Sequence, residues 1–354
     1  MTLSRYVLRL LASRVLLALF VLIGILQILD LLEITTTILQ RRLGAGGIGY
    51  YALLRLPRMY EQAAPLAVLT GSLFAFGKLA GDSAVTAMRS TGVSAYRITL
   101  LAVPAALALA LTQLAVGLAI APKTDQLLSN WWQTTAPKDP SKVIDPVTFR
   151  IGHEVVIAVP RDPDGRSLEK VTIYRRDNNG RLAQRINAPA AVYESESRGW
   201  RLINPQFETL NAASVSEAGA RESTWTQALH PADVRALAAG QTTVTPAEAR
   251  RALAGGLATR PRTYYDTQVQ RAWAAPVACL VMLLLAAPSA LANFRGGGAT
   301  LMAECLAAGL VFLVFDGAFT ALGENGAAPP ILAAWAAPAM FAAIGVTFLV
   351  YLEG

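Results

Sequence analysis

Charge is what this chain has least of. Of its 354 residues only 16% are charged, whereas a soluble globular domain carries about a quarter. Too few polar side chains remain to cover one or two soluble domains of that length, which excludes an ordinary soluble protein. Cysteine and histidine are scarcer, two of each. Cys279 and Cys305 both stand inside apolar stretches, and His153 and His230 lie far from them in the chain. That excludes a disulfide framework and a Cys/His metal centre, leaving the cysteines as small residues compatible with lipid. No nucleophile elbow or metal-ligand spacing surrounds either histidine, so hydrolase chemistry has no foothold. Basic stripes interleaved with aromatics are missing too. The formal charge of +7 therefore does not imply nucleic acid, and the topological placement of Lys and Arg around a membrane accounts for it.

What the chain does have is apolar runs of spanning length, 54% of it being hydrophobic. Six can be marked: roughly Val15 to Ile34, Tyr51 to Phe76, Ile98 to Ala121 (closed by Pro122), Ala272 to Leu291, Thr300 to Leu322 and Ile331 to Leu352. Three spans, a polar block and three more spans are expected. Arg5, Arg9 and Arg14 precede the first run and no small-residue cleavage site follows it, so it is expected to stay as a helix. With the N-terminus inside, the cytoplasmic segments hold Arg5, Arg9, Arg14, Lys78, Arg89, Arg97 and Arg295, and the outer short loops only Arg41 and Arg42. The polar block is then expected on the far side of the membrane, with both termini cytoplasmic.

That block, about Asp125 to Arg262, reads as β structure. "VTFRIGHEVVIAV", "KVTIYRR", "RLAQRI" and "GWRLI" are β-rich, and "RDPDGR", "RDNNGR" and "ESESRGW" between them are turn chemistry. Short strands at this spacing favour a sandwich, jelly roll or open barrel. In "TPAEARRALAGG", Thr245 is a candidate N-cap, Pro246 the first helical position and Glu248 the partner in a capping box, with Gly255 and Gly256 stopping the helix.

Gly71, Gly77 and Lys78 resemble a phosphate loop at first sight. The spacing is wrong, Leu79 stands where Ser or Thr belongs, and the spacer Ser-Leu-Phe-Ala-Phe is too bulky to wrap phosphates. A spanning helix that ends in a snorkelling lysine accounts for it. After it comes a short surface helix, capped by Asp82 or Ser83, with Ala84, Val85 and Met88 on one face and Gly92 closing it. Such a helix lies in the headgroups or inserts into a cytoplasmic partner. Its small apolar face, without Trp or Phe, favours a partner.

"LPRMYEQAAPLAVLTGSLFAFGKLAGDSAVTAMRSTGVSAYRI" resembles the second span and coupling segment of the LptF/LptG permease family, the membrane subunits of the ABC exporter that extracts lipopolysaccharide from the inner membrane. The likeness covers essentially the whole chain, and "VFDGAFTALGENGAAPPILAAWAAP" (Val314 to Pro338) is closer to the LptG branch than to LptF. The resemblance implies a polytopic α-helical membrane protein with six transmembrane helices and an inserted periplasmic β-jellyroll. It implies that Asp82, Ser83, Ala84, Val85, Met88, Arg89, Gly92 and Val93 dock on a cytoplasmic LptB-like ATPase dimer. ATP and Mg would bind there, and this chain would hold no cofactor and be no enzyme. An LptF-like second permease and an LptC-like bitopic protein are the other implied partners. Family members commonly carry an acid just after the serine of the coupling helix. Here that place is Ala84, so either Asp82 substitutes or the contact is apolar through Val85 and Met88.

A second set is basic and lies at the outer membrane edge: Arg41, Arg42, Arg55, Arg58, Lys123 and Arg271. Each alone reads as interfacial snorkelling. As a group they run against the positive-inside trend and suit the phosphates of a lipid headgroup. In the family, basic residues near the outer end of the first span contact lipid A phosphates. Here "DLLEITTTILQRR" places Asp30 and Glu33 first and the arginines further out. Asp30, Glu61, Glu304 and Asp316 are acids within spans, read as pairing inside the bundle in preference to a proton relay. Leu19, Leu22, Leu26 and Leu29 recur at helical spacing and suit either a lipid-cavity wall or ordinary lipid contact. The domains expected are 1–122 (three spans and a coupling helix about 82–93), 123–262 (β domain and a short helix about 245–255) and 263–354 (three spans). A non-transporting scaffold or receptor and a proton-coupled transporter are the competing classes.

Overall fold

Between Val15 and Leu29 the only polar side chain is Gln27, and no proline interrupts the run, so nothing stops a helix there. In the computed structural model α1 runs Thr2–Gln40. At ~1.5 Å per residue it is about 58 Å long, nearly twice the ~30 Å hydrocarbon core of a bilayer. The structure describes residues 2–82, 95–135, 146–162, 164–177, 181–195, 198–211, 214–227, 229–238, 244–288 and 298–353. They divide into two units, Met1–Trp132 with Thr267–Gly354, and Gln133–Asp266.

In the first unit α1 is followed by α2 (Gly44–Gly81), α3 (Ala95–Ala115) and, after a five-residue π segment (Val116–Ile120), α4 (Ala121–Thr134). The later helices are α7 (Arg262–Ala286), α8 (Gly298–Glu324) and α9 (Pro330–Glu353). Among the described residues six helical segments are long and apolar enough to cross a membrane, as expected. The third passes Pro122 instead of ending there. In the π segment the Ala121 N–H bonds to the Val116 carbonyl, five residues back. The wider ladder lets Pro122 fall in the first turn of a new α segment, where its missing N–H costs little.

Helix α2 forms the middle of this unit. Phe76, Leu69 and Leu79 are fully buried, packed with Leu11 and Val15 of α1, Met282 of α7 and Phe312 of α8. Gly71 sets the crossing of α1 and α2, since a Cβ there would collide with the Val15 backbone. Gly77 and Lys78 belong to the same helix, Lys78 in its last turn; helical backbone there leaves no loop to hold phosphate.

The second unit is an antiparallel β domain of β1 (Val147–Ile151), β2 (Glu154–Pro160), β3 (Ser167–Arg176), β4 (Leu182–Ser195), β5 (Gly199–Ile203), β6 (Gln206–Asn211), β7 (Ser214–Gly219) and β8 (Glu222–Trp225). The order is β1-β2-β3-β4-β5-β8, and a β6–β7 hairpin joins the first half of β4. The sequence run Val147–Val159 is two strands: Gly152, at φ +57°, turns the chain so that Ile151 faces Glu154. Side chains alternate as pleating requires, and Phe149, Val156, Ile173, Trp200 and Leu202 build the core. Glu154 is the polar member of that inward face; Arg175 Nε (2.8 Å) and Trp225 Nε1 (2.7 Å) both donate to its carboxylate. Helices α5 (Pro231–Ala238) and α6 (Pro246–Leu253) follow the strands. Thr245 caps α6 with the reciprocal Glu248 box. The strip behind it covers the outer edge of β1, through Ala258 bonded both ways to Arg150 and Gly255 accepting from Gly152 N–H.

Candidate functional site

At its far end α1 closes with a tight last turn. The Arg42 N–H bonds to the Leu39 carbonyl and the Leu43 N–H to that of Ile38, the double bond of a Schellman cap. Arg42 occupies the left-handed position at φ +59°. Its side chain is exposed, and no partner for it occurs among the described residues. The neighbouring guanidinium is held. Arg41 lies over the Trp132 ring, 3.8 Å from its centroid, and Nη1 donates to the Trp132 carbonyl at 2.6 Å. Burial there keeps the Arg41 pKa below its usual value, while a guanidinium stays charged across the physiological range. Tyr50, Tyr51 and Trp131 gather round, with Tyr50 edge-on to Trp131 at 5.3 Å.

The remaining basic residues divide. Arg55 pairs with Asp30 at 2.9 Å. Arg58 reaches Glu61 at 3.2 Å and Asp125 at 3.1 Å, and Arg271 reaches Asp316 at 3.5 Å. Three of the cations and three of the acids singled out in the sequence thus neutralise one another, so the acids are paired within the bundle without Lys or His. Lys123 is exposed and has no partner among the described residues. It precedes Trp132 by nine residues on α4, on the order of 13 Å along the axis and on the opposite side; the structure does not bring it to Arg41. Glu304 is exposed.

The leucines of α1 do not share one surface. Leu19 is buried, Leu22 and Leu26 pack on the bundle core, and Leu29 is exposed. The unpartnered face of the helix belongs to Leu17, Phe20 (77% exposed), Ile28 and Leu32 (72%). Of the coupling segment, Asp82 is exposed and ends α2, its N–H bonded to the Lys78 carbonyl at 2.9 Å. Ser83, Ala84, Val85, Met88, Arg89, Gly92 and Val93 lie outside the described residues.

The family model for the lipopolysaccharide export system permease LptF/LptG matches residues 5–351. The chain belongs to the LptF/LptG family. It is similar to the lipopolysaccharide export system permease protein LptG of Escherichia coli strain K12, 25% identical over 231 residues, which cover 65% of this chain and 64% of that protein. The protein of the same name from Haemophilus influenzae is 25% identical over 235 residues, with the same coverage. The matched region thus spans about two thirds of these relatives' length, slightly less than two thirds.

A polar layer lies inside the helical bundle. Gln113 of α3 is buried, donating to the Glu61 carbonyl at 2.9 Å and accepting from Cys279 Sγ at 3.1 Å. Four residues on, Gly117 in the π segment leaves room for the Glu61 carboxylate, which a Cβ there would strike. Sequence reading passed over Gln113, Gly117, Asp125 and the tryptophans. A lone glutamine in an apolar span and a proline four residues after Glu61 were the available signals.

Proposed function

We propose that this chain is a permease subunit of an ABC transporter that extracts lipopolysaccharide from the outer leaflet of the bacterial inner membrane. Both termini are cytoplasmic and the β domain is periplasmic, where it hands the lipid to a β-jellyroll bridge. The match of residues 5–351 to the lipopolysaccharide export permease family carries the reading, and the order of three spans, a sheet domain and three spans agrees with it. ATP is hydrolysed on a separate LptB-like ATPase dimer that grips residues 82–93, between α2 and α3. An LptF-like permease and an LptC-like bitopic protein complete the assembly. Arg41 and Arg42 meet the lipid phosphates. Arg42 has an exposed guanidinium, and Arg41 is pre-oriented by Trp132 for charge-assisted bonds to phosphate oxygens. Lys123 adds a diffuse positive charge, while Arg55, Arg58 and Arg271 are committed to carboxylates and serve the phosphates only by exchanging partners.

Co-purification from a detergent-solubilised membrane tests the assignment. The unaltered chain is expected to retain an ATPase and bound lipopolysaccharide, and Met88→Asp or Gly92→Pro to lose the ATPase while keeping the lipid. ATPase binding that survives both changes would overturn the role of residues 82–93.

A further inference from the structure

Pro65 has no N–H, so the Glu61 carbonyl four residues earlier lacks its helical donor. The substitute comes from another helix: Gln113 Nε2 of α3. The Gln113 oxygen is in turn satisfied by the Cys279 thiol of α7. A buried amide is costly when left unsatisfied, and this one bonds at both its oxygen and its nitrogen. Beside it the hydroxyls of Tyr60 on α2 and Thr112 on α3 meet. On the other side of residue 61, its carboxylate fills the space left by Gly117, and Arg58 ties it to Asp125 of α4. Backbone and side chain of one residue of α2 are therefore both held by the α3–α4 rod, next to Pro65, the second of the two prolines that interrupt α2's own ladder.

Helices α2 and α3 are the two that flank residues 82–94. We infer that Gln113 is a positioning residue for the transport stroke: it clamps α2 to α3 at the Pro65 break, so that α2 and the α3–α4 rod move as one lever. Without the clamp, displacement arriving at residues 82–93 is spent on bending α2 at Pro65 and splaying the pair. With it, the displacement passes the break and reaches the level where Arg58 meets Asp125. The inference rests on the proposed function, in which force enters at residues 82–93.

The test uses the whole transporter, reconstituted in liposomes that contain lipopolysaccharide. Gln113→Leu keeps volume but removes donor and acceptor. Gln113→Leu with Pro65→Ala returns an N–H to the Glu61 carbonyl without restoring any link to α3. Three quantities are read: the thermal unfolding midpoint, the ATP hydrolysis rate, and lipid released per ATP hydrolysed. The single change is expected to lower the midpoint and to cut lipid per ATP about fivefold or more, with hydrolysis continuing. The double change is expected to recover the midpoint but not the lipid yield. Recovery of both, or a normal yield in the single variant, means that Gln113 only satisfies an orphan carbonyl and overturns the lever. If Gln113→Leu does not assemble, the double variant decides alone, and a normal yield from it overturns the inference. Failure of the proposed function is distinguishable, because the unaltered chain would then neither retain an ATPase nor release lipid.

Discussion

Arg42 holds a left-handed backbone conformation at φ +59°, where any residue with a Cβ is strained and glycine is not. The side chain carried at this place ends in an exposed guanidinium. Arg42→Gly is expected to stabilise the α1 cap by about 1 kcal/mol, read as a higher unfolding midpoint in detergent, and at the same time to weaken lipopolysaccharide binding. A variant with neither change would show that Arg42 is an ordinary cap. Gly117 is the reverse case, a residue needed for what it lacks. Gly117→Ala puts a methyl where the Glu61 carboxylate sits and is expected to cost about 1–3 kcal/mol. Gly24→Ala is the control: its Cβ would meet nothing within 4 Å, and the better helix propensity of alanine leaves that variant at least as stable.

At the scale of elements, local signals decided some features and tertiary partners others. The α6 cap was legible because Thr245, Pro246 and Glu248 interact within one turn. Thr245→Ala is expected to lose about 1 kcal/mol of local stability, seen as faster amide hydrogen exchange over 246–253 with the β core unaffected. Pro122 misled for a physical reason. A proline ends an α ladder, but the π segment before it shifts the bonding by one residue, and no side-chain pattern in Val116–Ile120 announces that. The acids within spans were legible as pairs in need of partners. Their identity was not, because Asp30 and Arg55, or Arg271 and Asp316, meet across helices and are separated by 25 and 45 positions in the sequence. The four leucines Leu19, Leu22, Leu26 and Leu29 of α1 were equally ambiguous. Helical spacing groups residues into faces, yet which face turns inward depends on where Gly71 lets α2 approach.

For the whole molecule the two faces of α1 make opposite predictions. A photo-crosslinker at Phe20 or Ile28, on the unpartnered face, is expected to capture lipopolysaccharide, and one at buried Leu19 is not. Equal capture at all three positions would show that α1 does not keep this packing in the working transporter. Length, hydropathy and turn chemistry were enough to determine six spans and an inserted β domain, because those depend on how much apolar surface must leave water and on interactions within a few residues. Tertiary structure alone decided which arginines are spent on carboxylates and which is held by Trp132, that Gly71 is a helix crossing, and that Gln113 replaces the donor missing at Pro65. Each of those rests on a contact between helices, and a charge or hydrogen-bonding group in a low-dielectric interior is governed by whatever partner the packing brings to it.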